Sequence, residues 1–157
     1  MQINKKDLKF NICNPIHFLA TGFGVGLISH FPGTIASVVA IFIWNYIYIF
    51  FQYHWSIVFI FFLLAVYFCD KTAQDLRCHD HPCIVLDEFI GMWIILFFYH
   101  ENSYYDIITE FIVFRVFDVW KPYPIRIIHK NILNGFGIIL DDIVAGIYSI
   151  IILKIFI

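Results

Sequence analysis

Long apolar segments separated by short polar breaks constrain this sequence more strongly than any other feature. A helix that crosses a membrane comfortably needs about 20 mainly apolar residues. The segments here are somewhat shorter, so the third and fourth must tilt, thin the bilayer, draw length from flanking residues or form a hairpin buried among the others. A polar break of three residues, QYH, separates the first two, which predicts a helical hairpin. The five segments are residues 36–51, 55–69, 89–99, 107–117 and 143–157.

Composition supports the same interpretation. The chain is 61% hydrophobic and 14% charged, with a mean hydropathy of +0.81, whereas soluble domains are usually about 45–50% apolar and about 25% charged. We therefore expect an all-α fold: a small polytopic membrane helical bundle with about four to five membrane-embedded helices, short interfacial helices and a single domain over residues 1–157. Two prolines within residues 118–135 preclude one continuous helix there.

The basic residues predict which side of the membrane each connection faces. If the five segments alternate in direction, nine of the ten lysines and arginines fall on one side, and only Lys154 falls on the other. The positive-inside rule then makes that side cytoplasmic. The net charge of −2 gives no support for nucleic-acid binding. The nine residues are Lys5, Lys6, Lys9, Lys71, Arg77, Arg115, Lys121, Arg126 and Lys130.

Two pairs of adjacent carboxylates stand in otherwise apolar surroundings. Asp87 and Glu88 lie within IVLDEFIGMW, and Asp141 and Asp142 lie within LDDIVAG. A charge at the bilayer centre costs about 2.5–3.5 kcal/mol, and the cost falls towards the interface. The alternating arrangement places both pairs at the cytoplasmic ends of helices, where they would repel each other unless a cation lay among them. Mg²⁺ is the natural candidate because it prefers hard oxygen ligands.

A glycine follows one carboxylate of each pair at the same spacing. Asp87 lies four residues before Gly91, and Asp142 lies four before Gly146. Residues i and i+4 share a helix face, and small residues let membrane helices approach closely. The pattern predicts two helices in close contact beneath a shared acid cluster. Alternatively, the glycines only pack helices and the acids only cap helix N-termini, although capping accounts for one acid per helix and not two.

The stretch RVFDVWKPYPIR supplies basic side chains. Arg115, Asp118 and Lys121 are spaced at i, i+3 and i+6, so all three can share one helix face. We expect the two prolines that follow to impose an extended backbone and hold Lys121 in place, where it can contact a phosphate oxygen. The alternative is a salt-bridged interfacial loop in which Lys121 and Arg126 touch anionic lipid.

Several other motifs contain residues that could bind phosphate or a metal ion. PGT at residues 32–34 places Thr34 near a helix N-terminus, where it fits either a phosphate headgroup or an ordinary N-cap. In HDHPC we retain Asp80 as an oxygen ligand and expect no zinc site. The four cysteines show no CxxC pair and are expected to be free thiols. Cysteine-phosphatase and aspartyl-phosphate signatures are absent, which leaves a metal-activated water as the mechanism with ligands to support it.

Four stretches in order resemble the phosphatidylglycerophosphatase A family of bacterial membrane enzymes. They are GFGVGL…PGTIAS, HDHPCIVLDEFIGMW, RVFDVWKPYPIR and GIILDDIVAGI, within a resemblance that runs from Asn14 to Ile150. The resemblance implies Mg²⁺-dependent removal of the phosphate monoester from phosphatidylglycerophosphate, a membrane phospholipid, in glycerophospholipid biosynthesis. It also implies a multi-pass protein of the bacterial inner membrane. Two departures are residues 28–30 in place of a common Ser-Pro, and Ala36 in place of a frequent Gly.

Residues and resemblance together lead to one assignment of roles. We predict that Asp87 is the general base and that Asp118 and Lys121 act with it in catalysis. Asp80, Glu88, Asp141 and Asp142 are predicted to hold Mg²⁺. Thr34, Arg115 and Lys121 are predicted to contact the lipid phosphate.

Two other classes of protein remain as alternatives. A cation channel or transporter also carries carboxylates within the membrane, but along a path across the bilayer rather than at one face. A CDP-alcohol phosphotransferase is another Mg²⁺-dependent lipid enzyme, and its Asp-Gly…Ala-Arg…Gly…Asp…Asp order is missing here.

Overall fold

The computed structural model describes residues 10–28, 30–50, 54–79, 81–99 and 103–156. These residues contain helices and no strand, which confirms the all-α prediction. The helices are α1 (Pro15–Ala20), α2 (Val25–Ile28), α3 (Pro32–Phe50), α4 (His54–Leu76), α5 (Leu86–Tyr99), α6 (Tyr104–Trp120), α7 (Ile125–Asn131) and α8 (Gly135–Phe156).

The five long helices correspond to the five apolar segments. Three of them, α3, α4 and α8, contain stretches long and apolar enough to cross a membrane: Pro32–Ile49, Ser56–Leu76 and Gly135–Ile155. Helix α5 has 14 residues and α6 has 17, so at about 1.5 Å per residue they measure roughly 21 and 26 Å. Helix α5 compensates for its length by burial, since it packs against all four other long helices. The described residues therefore form the expected helical bundle, with three helices long and apolar enough to span a membrane and two shorter helices packed with them.

Helix α5 forms the centre of the apolar core. Phe89, Ile90 and Met92 are almost fully buried, as is Trp93, whose indole N–H donates to the carbonyl of Ala40 on α3 at 2.9 Å. A buried indole donor normally requires such a partner. The hydrogen bond therefore joins α3 to α5 at a depth where water cannot supply an acceptor.

The two glycines that follow the acid pairs lie where α5 and α8 cross. A Cβ built on Gly146 would lie 2.9 Å from the carbonyl oxygen of Gly91. A Cβ on Gly91 would lie 2.7 Å from the ring of Phe114 and 3.0 Å from the carbonyl oxygen of Asp142. Backbone meets backbone here, and a methyl group on either helix would separate them. The predicted close approach of two helices at these glycines is confirmed.

Contacts between helix ends confirm that the five long helices alternate in direction. The backbone N–H of Gly135, at the start of α8, donates to Asp70 near the end of α4 at 2.7 Å. Arg115, near the end of α6, lies 3.8 Å from Glu88 at the start of α5. Gly33, at the start of α3, also lies against Glu88 and Arg115, and Asp142 of α8 lies beside the start of α5. Helices α3, α5 and α8 thus begin, and α4 and α6 end, at one end of the bundle, which we call the site end. Lys154 lies in the last turn of α8, at the opposite end.

Two local predictions were wrong. Lys121 is not extended: its φ of 45° and ψ of 63° are left-handed, because its N–H donates to the carbonyl of Phe117 at 2.9 Å and closes the last turn of α6. Asp141 and Asp142 do not lie at a helix start. Helix α8 begins at Gly135, where the Asp70 carboxylate accepts the first free N–H, so the acid pair lies about two turns inside the helix.

Candidate active site

A polar cleft of about 490 Å³ opens at the site end of the bundle. Helices α3, α5, α6 and α8 all contribute to its walls, together with the segments before α3 and after α6. Most of the residues predicted from sequence line it: Thr34, Asp87, Glu88, Arg115, Asp118, Lys121 and Asp142. Positions up to 108 residues apart in the chain, Thr34 and Asp142, therefore share one cavity because the helices alternate in direction.

Three carboxylates converge in this cleft. One oxygen each from Asp87, Glu88 and Asp142 lies within 4.8 Å of the others. Asp87 and Glu88 occupy the first turn of α5, whereas Asp142 projects from α8. The Gly91–Gly146 crossing lies one helical turn away from the cleft, and it sets the short distance between the two helices. We call Asp87, Glu88 and Asp142 the acid cluster.

Arg115 lies beside the acid cluster and carries a positive charge to it. Its Nη1 atom is 2.6 Å from Asp118 Oδ2 and 3.8 Å from Glu88 Oε1. The contact with Asp118 agrees with the i, i+3 spacing. Gly33 allows this arrangement, because a Cβ at that position would collide with Glu88 Oε1 and approach the Arg115 guanidinium to 3.1 Å. Gly33 was given no role from the sequence, although it stands next to Thr34 in the PGT motif.

Asp141 faces a different group of side chains from its neighbour Asp142. Asp141 Oδ2 accepts a hydrogen bond from Lys121 Nζ and lies 2.9 Å from His129 Nδ1. The same His129 nitrogen is 3.2 Å from Lys121 Nζ. Burial lowers the pKa of Lys121, but the nearby carboxylates of Asp141 and Asp142 raise it more, so the net pKa is above its ordinary value. Lys121 is therefore positively charged at neutral pH.

His129 joins the site although no sequence pattern predicts it there. It lies on the short helix α7, eight positions from Lys121. The chain between the two residues leaves the left-handed Lys121 and passes through two prolines. No regular helical spacing relates the two side chains, so a sequence pattern could not have identified the contact. Asp80, predicted as a metal ligand, lies outside the described residues.

The donor atoms of the acid cluster fit a divalent cation that prefers oxygen. Glu88 Oε2 and Asp142 Oδ2 are buried oxygens that have no hydrogen-bond partner within the described part of the chain. Buried polar atoms are normally satisfied, and clustered carboxylates normally need a counter-charge or a proton. An all-carboxylate donor set suits Mg²⁺ rather than zinc. Asp141 differs, because the Oδ2 atom already contacts Lys121 and His129.

Comparisons with known proteins identify the family of the chain. The family model described as phosphatidylglycerophosphatase A matches residues 18–157. Phosphatidylglycerophosphatase A of Escherichia coli strain K12 is 44% identical over 94% of this chain and 85% of its own length. The protein of the same name from Haemophilus influenzae is 41% identical over 97% of this chain and 94% of its own length.

A further relative, from Bacteroides thetaiotaomicron, has the provisional name phosphatidylinositol-3-phosphatase. It is 31% identical over 87% of this chain and 90% of its own length. No solved structure matches significantly. The family model covers most of the chain and agrees with the two more similar relatives. This protein belongs to the phosphatidylglycerophosphatase A family.

Proposed function

We propose that this protein hydrolyses the phosphate monoester of phosphatidylglycerophosphate to give phosphatidylglycerol and inorganic phosphate. The observation that carries the proposal is the shared cleft, in which the acid cluster faces Arg115 and Lys121. Cationic side chains opposite a cation-binding cluster suit a phosphate dianion. The names of the E. coli and H. influenzae relatives support the same substrate.

Asp87, Glu88 and Asp142 are the residues that would hold Mg²⁺, because their oxygens converge. A bound Mg²⁺ would supply Lewis-acid stabilisation of the phosphate and of the attacking water. This division changes two sequence-based assignments: Asp87 joins the metal ligands, and Asp141 becomes the partner of Lys121. Lys121 would bind oxygens of the terminal phosphate and offset the charge that develops on them, and Arg115 would supply a second positive charge at the edge of the cleft.

Hydrolysis requires an acceptor for the proton of the attacking water and a proton for the leaving glycerol oxygen. Water forms the new bond to phosphorus, and the bond between phosphorus and the glycerol oxygen breaks. We assign acceptance of the water proton to Asp118, which lines the cleft beside the acid cluster but does not belong to it. The glycerol oxygen takes a proton from solvent at the cleft mouth. Phosphatidylglycerol then leaves with its acyl chains still in the bilayer.

We place the site end at the cytoplasmic face of a bacterial inner membrane. The described basic residues outside the far turn of α8 all belong to the site end or to the connections beside it: Lys71, Arg77, Arg115, Lys121, Arg126 and Lys130. The positive-inside rule supports this orientation. The acid cluster lies at one end of the bundle and not along a path through it, which disfavours the channel or transporter alternative.

The test is phosphate release from phosphatidylglycerophosphate by the purified protein in detergent micelles, with Mg²⁺ and with EDTA. We expect release with Mg²⁺ and none with EDTA. Parallel assays with phosphatidic acid and phosphatidylinositol 3-phosphate measure headgroup selectivity, because the B. thetaiotaomicron relative is named for the latter. Absence of release from phosphatidylglycerophosphate, under conditions where a control lipid phosphatase is active, would contradict the proposal.

A further inference from the structure

An apolar groove adjoins the polar cleft between α3 and α6. It has a volume of about 720 Å³, and its apolar walls include Phe111, Ile112, Val116 and Val119. Thr34 and Arg115 supply its polar lining. We call it the α3–α6 groove. The side chains of Ile112 and Val116 remain 54% and 52% exposed, so this face of α6 is open to whatever surrounds the bundle.

The groove and the cleft are continuous. Thr34, Arg115 and Val119 line both of them. From Val119 the groove follows α6 away from the site end through Val116 to Ile112, a distance of about 10 Å at the helical rise per residue. Its polar lining residues are therefore those shared with the cleft, and the rest of the described lining is apolar. This gradient matches a phospholipid, whose charged headgroup continues into a hydrocarbon chain.

The junction of groove and cleft carries the positive charge of Arg115, which suits the anionic phosphodiester of a phospholipid. The Nε atom of Arg115 is buried and has no hydrogen-bond partner among the described residues. Its Nη1 atom forms an ion pair with Asp118 Oδ2 at 2.6 Å. Phosphatidylglycerophosphate has a phosphodiester between its terminal phosphate and its acyl chains. With the terminal phosphate at the acid cluster and Lys121, the phosphodiester would lie near Arg115.

We propose that the α3–α6 groove binds one acyl chain of the substrate phospholipid, with Arg115 at the phosphodiester where groove and cleft join. The proposal rests on the proposed function of the cleft. It gives the enzyme a substrate-binding subsite that selects for a long acyl chain. Lipid reaches the site laterally from the bilayer, so the substrate need not be extracted into water. The alternative occupants of the groove are a second copy of the protein and a helix of another protein. Neither would explain why the groove is continuous with the cleft, whereas an acyl chain does.

The first test measures chain-length selectivity. Val116→Trp and the milder Val116→Phe place bulk in the groove without touching the shared residues. The readout is the kcat/KM for dioleoyl phosphatidylglycerophosphate divided by that for its dihexanoyl analogue, in the same micelles. We expect this ratio to fall about tenfold in Val116→Trp, roughly the effect of displacing two methylene groups from an apolar surface. Ile151→Trp on α8, at a position 50% exposed, is the matched control and should keep the wild-type ratio.

The second test maps the acyl chain directly on the wild-type protein. Phosphatidylglycerophosphate with a photoreactive diazirine in one acyl chain is crosslinked in micelles, and labelled peptides are identified by mass spectrometry. We expect labelling on residues 111–120 or 34–38 that excess unlabelled phosphatidylglycerophosphate removes and phosphatidylcholine does not. Labelling elsewhere, or labelling that phosphatidylcholine removes equally, would overturn the proposal, as would an unchanged selectivity ratio. If the wild type does not hydrolyse the lipid at all, the proposed function fails instead, and the labelling result reports on the groove separately.

Discussion

Asp141 and Asp142 show how neighbouring residues on one helix take different roles. Successive residues on an α-helix point about 100° apart. Asp142 therefore faces Asp87 and Glu88, whereas Asp141 faces Lys121 and His129. The two acids of α8 therefore have separate roles: Asp142 contributes to the acid cluster, and Asp141 holds the Lys121 ammonium at the edge of the cluster.

The acid cluster can be tested at Asp142. We expect Asp142→Asn to lower phosphate release at least about 100-fold, since loss of the proposed metal ligand should exceed the 10–100-fold loss typical of outer-shell partners. Phosphate release over a Mg²⁺ titration measures the effect. Asp106→Asn is the control, because Asp106 caps the far end of α6. Wild-type activity in Asp142→Asn would remove the acid cluster from the mechanism.

Two variants separate the contribution of Lys121 and Asp141 to stability from their contribution to activity. Lys121→Met leaves the Asp141 carboxylate, whose side chain is 3% exposed, with less compensation, and we expect a loss of about 1–3 kcal/mol in the free energy of unfolding. Adding Asp141→Leu should restore much of that stability, because a buried ion pair can be replaced by apolar groups. Phosphate release should stay low in the double variant. Recovery of activity together with stability would show that Lys121 acts only through structure.

The crossing of α5 and α8 is the feature at the scale of elements that creates the site. The Gly91–Gly146 contact brings two backbones together, and the same two helices carry all three carboxylates of the acid cluster one turn away. Helix α6 completes the arrangement by placing Phe114 against Gly91 and Arg115 against Glu88. Small changes in the distance between α5 and α8 should therefore affect stability and cation affinity together.

Gly146→Ala tests this coupling. The added methyl group would lie 2.9 Å from the Gly91 carbonyl oxygen, and backbone cannot rotate away as a flexible side chain can. We expect a loss of about 1–3 kcal/mol in unfolding free energy, as for other overpacked cores, with a higher Mg²⁺ concentration for half-maximal activity. Unfolding followed by circular dichroism in detergent measures the first effect. Ile147→Ala, on the exposed face of α8, should leave the Mg²⁺ requirement unchanged.

At the scale of the whole molecule, the bundle separates an apolar body from a charged end. Helices that alternate in direction bring the starts of α3, α5 and α8 together with the ends of α4 and α6. In the proposed orientation the carboxylates would lie near a membrane surface, where charge costs less than at the bilayer centre. Under the proposed function, the same arrangement would let a phosphate in the polar cleft and an acyl chain in the bilayer belong to one bound lipid.

Cation binding at the acid cluster should stabilise the entire bundle. A ligand that binds only the folded state adds about 2.7 kcal/mol at 100 times its dissociation constant. We expect Mg²⁺ to raise the thermal unfolding temperature of the wild type in detergent. Asp142→Asn should show little or no increase, whereas Asp106→Asn should respond like the wild type. An equal increase in all three proteins would mean that Mg²⁺ acts elsewhere, for example on the detergent or the surface.

Much of the fold was predictable because the relevant signals are local. Each of these signals can be read from a short stretch of sequence. They are the apolar segments, the proline breaks, the position of the basic residues and the glycines at i+4 from the acids. These signals predicted the long helices, their alternation and the α5–α8 contact. They also indicated which residues would share the site, since the residue types that bind phosphate and Mg²⁺ are few.

Only the tertiary structure decided how those residues are divided. The rotation of α8 directs Asp142 to Asp87 and Asp141 to Lys121, and the left-handed turn at Lys121 brings His129 from α7 into the same contact. The α3–α6 groove likewise depends on tertiary structure, because Thr34 of α3 lines it together with residues of α6 that are distant in sequence. The rotation and spacing of the helices result from the packing of many side chains that are distant in sequence. A local sequence pattern therefore cannot predict them.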